Sequence, residues 1–435
     1  MIFKDLIRKD VLSKNFLPVI YLGLLVWFVI KAFDNTTYIF VYPNLFNFQK
    51  HISNFLFYLF VVFYLYQWIK CSKRKIELAL FFVFIVFSTI SRKYSSNPLV
   101  FDLFFVPLFL AKYLDREKFL NIALLGLVLF FILDLSLYFT GFLPNLEKFY
   151  RSSLNIERLS LGLIHPNHVG FYSMLFCFLY VLKRKHLNVI DYLILIGFSI
   201  FCYKIPNSVT TTSIILLLAI ACFVDKYLIK NTLTKKHNIV LLWSILFVVG
   251  FVLFLTYFIT FTGMFKQYLV NMPGAIWARF ELSKMWFDNL GISLFGDFAT
   301  IKDLALRKVI VCVDCVYFHL PIYYGYAVYI FYMFVLFYIL VRSVLRYEYL
   351  LAFIIVLTVI YGVSEKLACL ASFMPIYAYL FCSSYSDVIK RKNILKGNNR
   401  VQLLQTKKIF VQNNSLFQII IDSRQSNSSS DFPVI

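Results

Sequence analysis

The chain has 435 residues, of which 61% are hydrophobic, 20% are aromatic and only 15% are charged. A water-soluble domain cannot cover that much apolar surface with the polar residues that remain, so lipid must solvate most of the chain. The formal net charge of +21 would suggest a nucleic-acid partner in a soluble protein. Here Lys and Arg cluster in short segments between apolar runs, as in a membrane protein with basic inner loops, so a nucleic-acid partner is excluded.

Twelve apolar segments approach or exceed the roughly 20 residues that a membrane-spanning helix needs. They cover residues 16–32, 52–69, 76–91, 98–112, 119–138, 163–182, 189–203, 210–224, 238–262, 315–341, 349–364 and 366–382. The first segment follows a basic stretch without a small-residue cleavage site, which favours a first transmembrane helix over a signal peptide. We therefore predict an all-α polytopic integral membrane protein, with about 12 transmembrane helices in residues 1–383. Three short segments leave that count open by one or two.

The distribution of basic residues predicts the orientation of these helices. With the N-terminus inside, the inner loops carry the basic groups Lys70/Lys73/Arg74/Lys75, Lys112/Arg116/Lys118, Lys183/Arg184/Lys185, Lys226/Lys230/Lys235/Lys236 and Arg342/Arg346. The outer loops are poorer in Lys and Arg, with Arg92 and Lys93 as the exception. Both termini are then cytoplasmic, and the polar residues 384–435 form a largely disordered tail.

Two predicted outer segments, about 139–162 and 263–314, are longer than simple turns, and long loops in a compact membrane protein are usually functional. The second contains residues 276–287, in which Ile276, Phe280 and Phe287 share one side. This pattern predicts an amphipathic helix along the outer interface, with Trp277 and Trp286 at headgroup depth. An interfacial anchor without further function is the alternative.

The two outer segments share a spacing. Arg158 is followed twelve positions later by Gly170, and Arg279 twelve positions later by Gly291. If the spacing is not chance, it places two guanidinium groups on the same side of the membrane. Each could hold a phosphate through a bidentate fork.

Further ionisable residues fall near predicted outer helix ends: Asp102, Asp134, His165, Asp314, His319 and Glu365. Each alone is explained by snorkelling or by a hydrogen bond, but together they suggest a polar cavity that opens outward. Of the eight cysteines, only Cys312 and Cys315 have the spacing of a redox or metal pair, and a single pair is weak evidence for either.

The segment from Arg158 to Gly170 resembles the O-antigen polymerase and ligase superfamily of bacterial polysaccharide assembly, through its Arg, Leu161-Gly162, His165-Pro166-Asn167 and following Gly. The resemblance continues at Arg279, at Gly291 to Gly296, at Asp314-Cys315-Val316-Tyr317 and at Tyr324-Gly325. It covers three segments and the layout of about a dozen spans. The sequence between them contributes only hydrophobicity.

The resemblance implies a transferase of the bacterial cytoplasmic membrane. Such an enzyme moves an oligosaccharide from undecaprenyl pyrophosphate to a hydroxyl of another lipid-linked repeat unit on the outer face. No metal and no other cofactor is implied. The expected partners are the lipid-linked oligosaccharide and the bilayer, and a chain-length regulator is expected from the resemblance alone.

The resemblance also assigns roles to residues. Arg158 and Arg279 would neutralise the leaving pyrophosphate, and Asp314 would be the general base, with Glu365 and His319 as rivals for that role. His165 and Asn167 would shape the sugar site or support the helix turn. Tyr317 and His319 are also expected at the substrate.

Two rival functions stay open. The ligase branch usually has His followed by Asn at the position of Asp314-Cys315, so this sequence favours a polymerase. A polysaccharide or lipid flippase would also need many spans, but such transporters commonly show repeat symmetry between their halves, and no repeat is found here. A metal-dependent enzyme that uses lipid-phosphate sugars would need an acidic pair in the first outer loop. Asp34 there has no acidic neighbour in sequence.

Overall fold

A computed structural model describes residues 11–69, 75–95, 98–145, 149–151, 156–184, 187–226, 235–270, 276–296, 304 and 313–382. The chain divides into two units, Met1–Cys382 and Ser383–Ile435. The predicted tail, 384–435, lies outside the described residues, as do Cys312 and the basic cluster at 70–74.

The described part of the chain is helical, as predicted. Its α-helices are α1 Val11–Phe33, α2 Tyr38–Val41, α3 Pro43–Gln67, α4 Lys75–Ser95, α5 Leu99–Phe105, α6 Arg116–Phe139, α7 Pro166–Arg184, α8 Val189–Lys204, α9 Val209–Val224, α10 Lys235–Thr262, α11 Lys266–Leu269, α12 Ile276–Leu290, α13 Val316–Tyr323, α14 Tyr326–Leu345, α15 Tyr349–Ser364 and α16 Met374–Tyr379. Strands β1, Phe149–Arg151, and β2, Ile156–Arg158, pair antiparallel. This hairpin was not predicted.

Among the described residues, four helical segments are long and apolar enough to cross a membrane: Phe16–Phe33, Arg116–Phe139, Asn238–Thr262 and Tyr326–Leu345. Many large apolar side chains face outward, for example Phe247, which is 72% exposed, and Trp243, which is 68% exposed, both on α10. An exterior of this kind fits a lipid environment, because a soluble protein rarely exposes a large contiguous apolar surface.

Three predicted spans are not single α-helices. Residues 98–112 form α5, a π-helical turn at Val106–Leu110 and a 3₁₀ turn at Ala111–Tyr113. Pro107 lies in the π-helical turn and has no amide proton for an i→i−4 hydrogen bond, which interrupts the regular α-helical pattern there.

The predicted span 315–341 is broken at Gly325, which separates α13 from α14 and has φ +88°. The residues after it dock there against the end of the long loop, because Tyr326 N donates to Ser293 O at 2.9 Å and Ala327 N donates to Leu294 O at 3.0 Å. The predicted span 366–382 begins with 3₁₀ turns at Lys366–Cys369 and Ala371–Phe373 before α16.

The centre of the protein is formed by α7, α15 and the segment that ends in α16, whose residues are almost all buried. Helix α9 packs on both α7 and α15, α6 joins α1 to α7, and α14 packs on α15. Helices α8 and α10 lie on the outside of this group, with apolar side chains exposed. The central helices therefore hold the ends of their neighbours in fixed positions.

Helix α12, Ile276–Leu290, forms where the amphipathic pattern predicts it. Its buried side chains are Phe280, Ser283 and Trp286, which recur at helical spacing. Trp286 is only 6% exposed, so this ring is covered by protein, although headgroup depth was expected for it. The apolar face of α12 packs against α10 and α13.

Candidate functional site

The segment between β2 and α7 is held by backbone hydrogen bonds to two neighbouring turns. Leu159 N donates to Ile205 O at 3.3 Å, in the turn between α8 and α9. Thr37 N donates to Gly162 O at 2.8 Å, and Ile164 N donates to Asn35 O at 3.0 Å, both in the turn after α1. The ends of four helices thus meet at this segment, and we call this the site end of the helices.

Arg158 is fixed at the site end by two acceptors. Its Nε donates to Pro206 O at 2.8 Å, and its Nη2 donates to the Oδ1 of Asn167 at 2.5 Å. Asn167, in the first turn of α7, is only 8% exposed. The other end of its amide, Nδ2, donates to Glu365 Oε1 at 2.8 Å. Asn167 therefore links the Arg158 guanidinium to a buried carboxyl group.

Arg279, in the first turns of α12, reaches the same carboxyl group. Its Nη2 donates to Glu365 Oε1 at 2.8 Å, and its Nε lies 3.7 Å from Asp314 Oδ2. The Arg279 Nη1 atom is buried and has no hydrogen-bond partner among the described residues. An acceptor for this donor would come from water or from a ligand, since the described residues supply none.

These contacts form one polar network, Arg158–Asn167–Glu365–Arg279–Asp314, which we call the arginine cluster. The two arginines are far apart in sequence, and Glu365 comes directly after α15. Burial raises the pKa of Glu365 to about 7, although the Arg279 guanidinium favours its charged form. This carboxyl group therefore changes charge near neutral pH. Asp314 is the more accessible acid, with 29% of its side chain exposed against 4% for Glu365.

His165 lies beside the arginine cluster, in the segment before α7. Its Nδ1 accepts a hydrogen bond from Asn167 N at 3.1 Å. Burial and the nearby Arg158 guanidinium lower the pKa of His165 to about 4, so its imidazole is neutral at physiological pH. The accepted bond from the backbone stabilises the first turn of α7, which agrees with the interpretation of His165 as a support for that turn.

Lys366 is a residue that the sequence analysis did not place in the site. It follows Glu365 directly, it is half-buried, and its positive charge contributes to the low pKa of His165. Lys366 therefore places a further positive charge near His165. The signal was present in the sequence, because Lys366 is a rare basic residue at a predicted outer end and directly follows Glu365.

The two glycines that share the twelve-residue spacing have different structural roles. A Cβ atom on Gly170 would lie 2.8 Å from Thr211 Oγ1 and 3.0 Å from Ser208 Cβ, so Gly170 allows α9 to approach α7 closely. Gly291 has φ +66° and follows the last residue of α12, where no atom crowds its Cβ position. The spacing therefore does not reflect a repeated local structure.

Tyr317 and His319 lie on α13, which begins two residues after Asp314. Tyr317 is buried, and its hydroxyl donates to Val359 O at 2.7 Å, which ties α13 to α15. His319 is also buried, its ring lies 4.4 Å from that of Tyr323, and its Nδ1 has no partner among the described residues. Their contact with a substrate stays a prediction.

The remaining predicted polar residues are distributed over the same end. Asp134 is buried close to Gly162. Asp102 makes an ion pair with Lys31 and lines a separate cavity that contains no residue of the arginine cluster. Within the described ranges, no group of three or more His, Cys, Asp or Glu side chains could hold a metal ion.

Comparison with known proteins adds no relative to this geometry. No protein-family model, no curated protein and no solved structure matches the chain. The functional argument therefore rests on the residues themselves.

Proposed function

We propose that this protein is a polysaccharide polymerase with about a dozen membrane spans in the bacterial cytoplasmic membrane, with both termini cytoplasmic. It transfers a glycan from undecaprenyl pyrophosphate to a hydroxyl of another lipid-linked repeat unit on the outer face. The observation that carries the proposal is the buried Arg279 Nη1 donor without an acceptor, in a network that also fixes Arg158. A diphosphate would supply an oxygen acceptor for that Arg279 donor.

The reaction follows from the groups in the arginine cluster. The acceptor hydroxyl attacks the anomeric carbon of the donor glycan, and its proton passes to the Asp314 carboxylate. The bond between the anomeric carbon and the phosphate oxygen breaks, and the electron pair leaves with the lipid pyrophosphate. Arg158 and Arg279 stabilise the charge that develops on that leaving group. Asp314 then returns its proton to water.

Glu365 acts as a positioning residue in this proposal. It holds Arg279 directly and Arg158 through Asn167, so that both guanidinium groups belong to one hydrogen-bonded network. Asp314 is favoured over Glu365 as the general base because its side chain is more exposed and lies at the rim of the network. Lys366 adds a positive charge near His165, and the neutral His165 supports the first turn of α7.

An apolar cavity next to α12 supports a lipid-linked substrate. It has a volume of about 390 Å³ and is lined mainly by aromatic side chains, including Phe261, Phe287 and Phe318. Phe287 lies two turns after Arg279 on α12, so the cavity adjoins the helix that carries the guanidinium group. An apolar chain attached to a bound diphosphate would find a compatible surface there.

The test is a deletion of the gene in its own host, with surface glycan and lipid-linked intermediates separated on a gel. We expect the deletion strain and an Arg158→Ala strain to lose long polymer while single repeat units still reach their final carrier. An Arg342→Ala strain is the control. Arg342 lies in the last turn of α14, at the opposite end of that helix from Gly325, and is not part of the arginine cluster. If no repeat unit at all is transferred, the protein is a ligase or flippase. An unchanged glycan profile would exclude all three functions.

A further inference from the structure

A polar cavity that shares no lining residue with the arginine cluster lies among the first helices of the chain. Its volume is about 770 Å³, within the range of ligand pockets, and side chains of α1, α3, α4 and α5 line it. Asp34 belongs to its wall. The next residue, Asn35, accepts the backbone hydrogen bond of Ile164 in the segment that precedes α7. The cavity is therefore at the site end of the helices.

The acidic residues of this cavity are already engaged. Lys31 Nζ lies 2.7 Å from Asp102 Oδ2 and 3.6 Å from Asp34 Oδ2. Asp34 also accepts a hydrogen bond from Gln49 Nε2 at 2.8 Å. Lys31 is thus neutralised by two carboxyl groups, and these three side chains together form a fixed polar floor.

Two further cations of the cavity, Lys50 and Arg92, have no acidic partner. Both side chains are exposed, both line the cavity, and neither makes an ion pair with another side chain in the described part of the chain. Lys50 Nζ lies 4.3 Å from the centroid of the Phe46 ring, which also lines the cavity. Arg92 is also an exception to the charge pattern that predicts the orientation of the helices. A basic residue on the less basic side of a membrane protein opposes the positive-inside rule, and a function in binding an anion explains why it is there.

The rest of the lining suits a saccharide. Ser53 and Asn54 offer a hydroxyl and an amide, and the rings of Phe57 and Phe101 form part of the wall. Ser88 is only 7% exposed, and its buried Oγ has no hydrogen-bond partner among the described residues. A small anion at Lys50 and Arg92 would leave this wall unused, whereas a sugar with several hydroxyls would satisfy the polar groups and cover the rings.

We infer that this cavity binds an acidic saccharide, whose carboxylate or phosphate group lies at Lys50 and Arg92. Its neutral ring hydroxyls bond to the polar wall around Ser88. As part of the proposed polymerase, the cavity is the subsite for the acceptor glycan, beside the diphosphate of the donor. That role rests on the proposed function, but the binding itself does not.

The experiment measures equilibrium binding to the full chain in nanodiscs of uncharged lipid, by microscale thermophoresis. The probes are hyaluronan tetrasaccharide, which is acidic, chitotetraose, which is neutral and of equal length, and inorganic pyrophosphate. We expect the acidic tetrasaccharide to bind at least tenfold more tightly than the neutral one. A Lys50→Gln/Arg92→Gln variant is expected to bind the acidic tetrasaccharide at least tenfold more weakly. The control is a Lys93→Gln variant, because Lys93 is a neighbouring cation that does not line the cavity. We expect this control to bind the acidic tetrasaccharide with unchanged affinity.

Equal binding of the two tetrasaccharides, or unchanged affinity in the double variant, would overturn the inference. Tighter binding of pyrophosphate than of the acidic tetrasaccharide, lost in the double variant, would also overturn it and assign the cavity to a phosphate headgroup. An Arg158→Gln/Arg279→Gln variant separates this inference from the proposed function. We expect this variant to lose affinity for undecaprenyl pyrophosphate and to keep its affinity for the acidic tetrasaccharide. If the unchanged protein does not bind undecaprenyl pyrophosphate, the proposed function is wrong. The inference that the cavity binds an acidic saccharide is not affected by that result.

Discussion

At the scale of single residues, the fork of Arg279 decides whether the proposed clamp exists. Lysine keeps a positive charge beside Glu365 but cannot contact Glu365 and a diphosphate through two separate nitrogens, as Arg279 can. One charge-assisted hydrogen bond is worth about 1.5–3 kcal/mol, so we expect Arg279→Lys to lower the transfer rate by on the order of tenfold to a hundredfold, and Arg279→Ala to abolish polymer. Polymer length is measured on gels, with the amount of membrane-inserted protein determined by immunoblot.

The control for this pair is Arg342→Lys, which exchanges the same residue types without touching the arginine cluster. We expect its polymer to keep the normal length. If both Arg279 variants make long polymer at the normal protein level, the clamp does not exist.

Glu365 predicts a pH dependence. Its pKa of about 7 means that the carboxyl group is mostly neutral below pH 7 and mostly ionised above it. The ionised form holds Arg279 as an ion pair and opposes an incoming diphosphate. We therefore expect the affinity for undecaprenyl pyrophosphate to fall as the pH rises from 6 to 8, when binding to the purified protein is measured in nanodiscs.

A Glu365→Gln variant separates this effect from the titration of the lipid itself. The second ionisation of a terminal phosphate, near pH 6, makes the ligand more negative and favours binding at higher pH. Glutamine has nearly the same shape as glutamate and can hydrogen-bond, but it does not titrate. In the variant we therefore expect the affinity only to rise with pH, as the phosphate becomes more negative. Identical pH profiles for the two proteins would show that Glu365 does not control Arg279.

Most residues of the arginine cluster could be predicted from the sequence, but their connections could not. Arg158, Asn167, Arg279, Asp314 and Glu365 all carry chemistry that is unusual beside apolar segments. That Asn167 bridges Arg158 to Glu365 depends on side-chain geometry across nearly two hundred residues of sequence. No local pattern encodes such a contact.

At the scale of the elements, Gly170 tests how closely α7 and α9 must approach. An added Cβ would lie 2.8 Å from Thr211 Oγ1 and 3.0 Å from Ser208 Cβ, so a helix would have to move. Overpacking of this kind costs about 1–3 kcal/mol, and we expect Gly170→Ala to lower the apparent melting temperature in detergent.

The matched control is Gly197→Ala, within α8, where a new Cβ has no atom within 4 Å. Alanine has a higher helix propensity than glycine by up to about 1 kcal/mol, so this variant should melt at the same or a higher temperature. Similar melting temperatures for the two variants would contradict the close packing of α7 on α9.

Helix boundaries could be predicted where local chemistry defines them. Residues 189–203 were predicted as a span, and α8 covers Val189–Lys204 because Asn188 and Asp191 cap each other's backbone at its start. The break at Gly325 was missed, since hydrophobicity continues through it. The carbonyl groups of Ser293 and Leu294, from the distant loop, accept hydrogen bonds from the first backbone N–H groups of α14, and no hydrophobic pattern encodes this tertiary contact.

At the scale of the whole molecule, the orientation of the helices in the membrane is still a prediction, and cysteine labelling in intact cells can test it. Leu294 is 63% exposed and lies near Arg279's end of the protein, whereas Tyr347 is 52% exposed and follows α14 at its other end. The native cysteines within the described ranges are all buried, which keeps their own labelling low. We expect a membrane-impermeant maleimide to label Leu294→Cys from outside.

Under the same conditions, Tyr347→Cys should react only after the membrane is permeabilised, because Arg342 and Arg346 mark that end as the inner one. The opposite result for both positions would invert the predicted orientation. It would also place the arginine cluster on the cytoplasmic side, where its proposed substrate, a glycan already exposed on the outer face, could not reach it. The location of these two cysteines thus decides whether the proposed chemistry is possible at all.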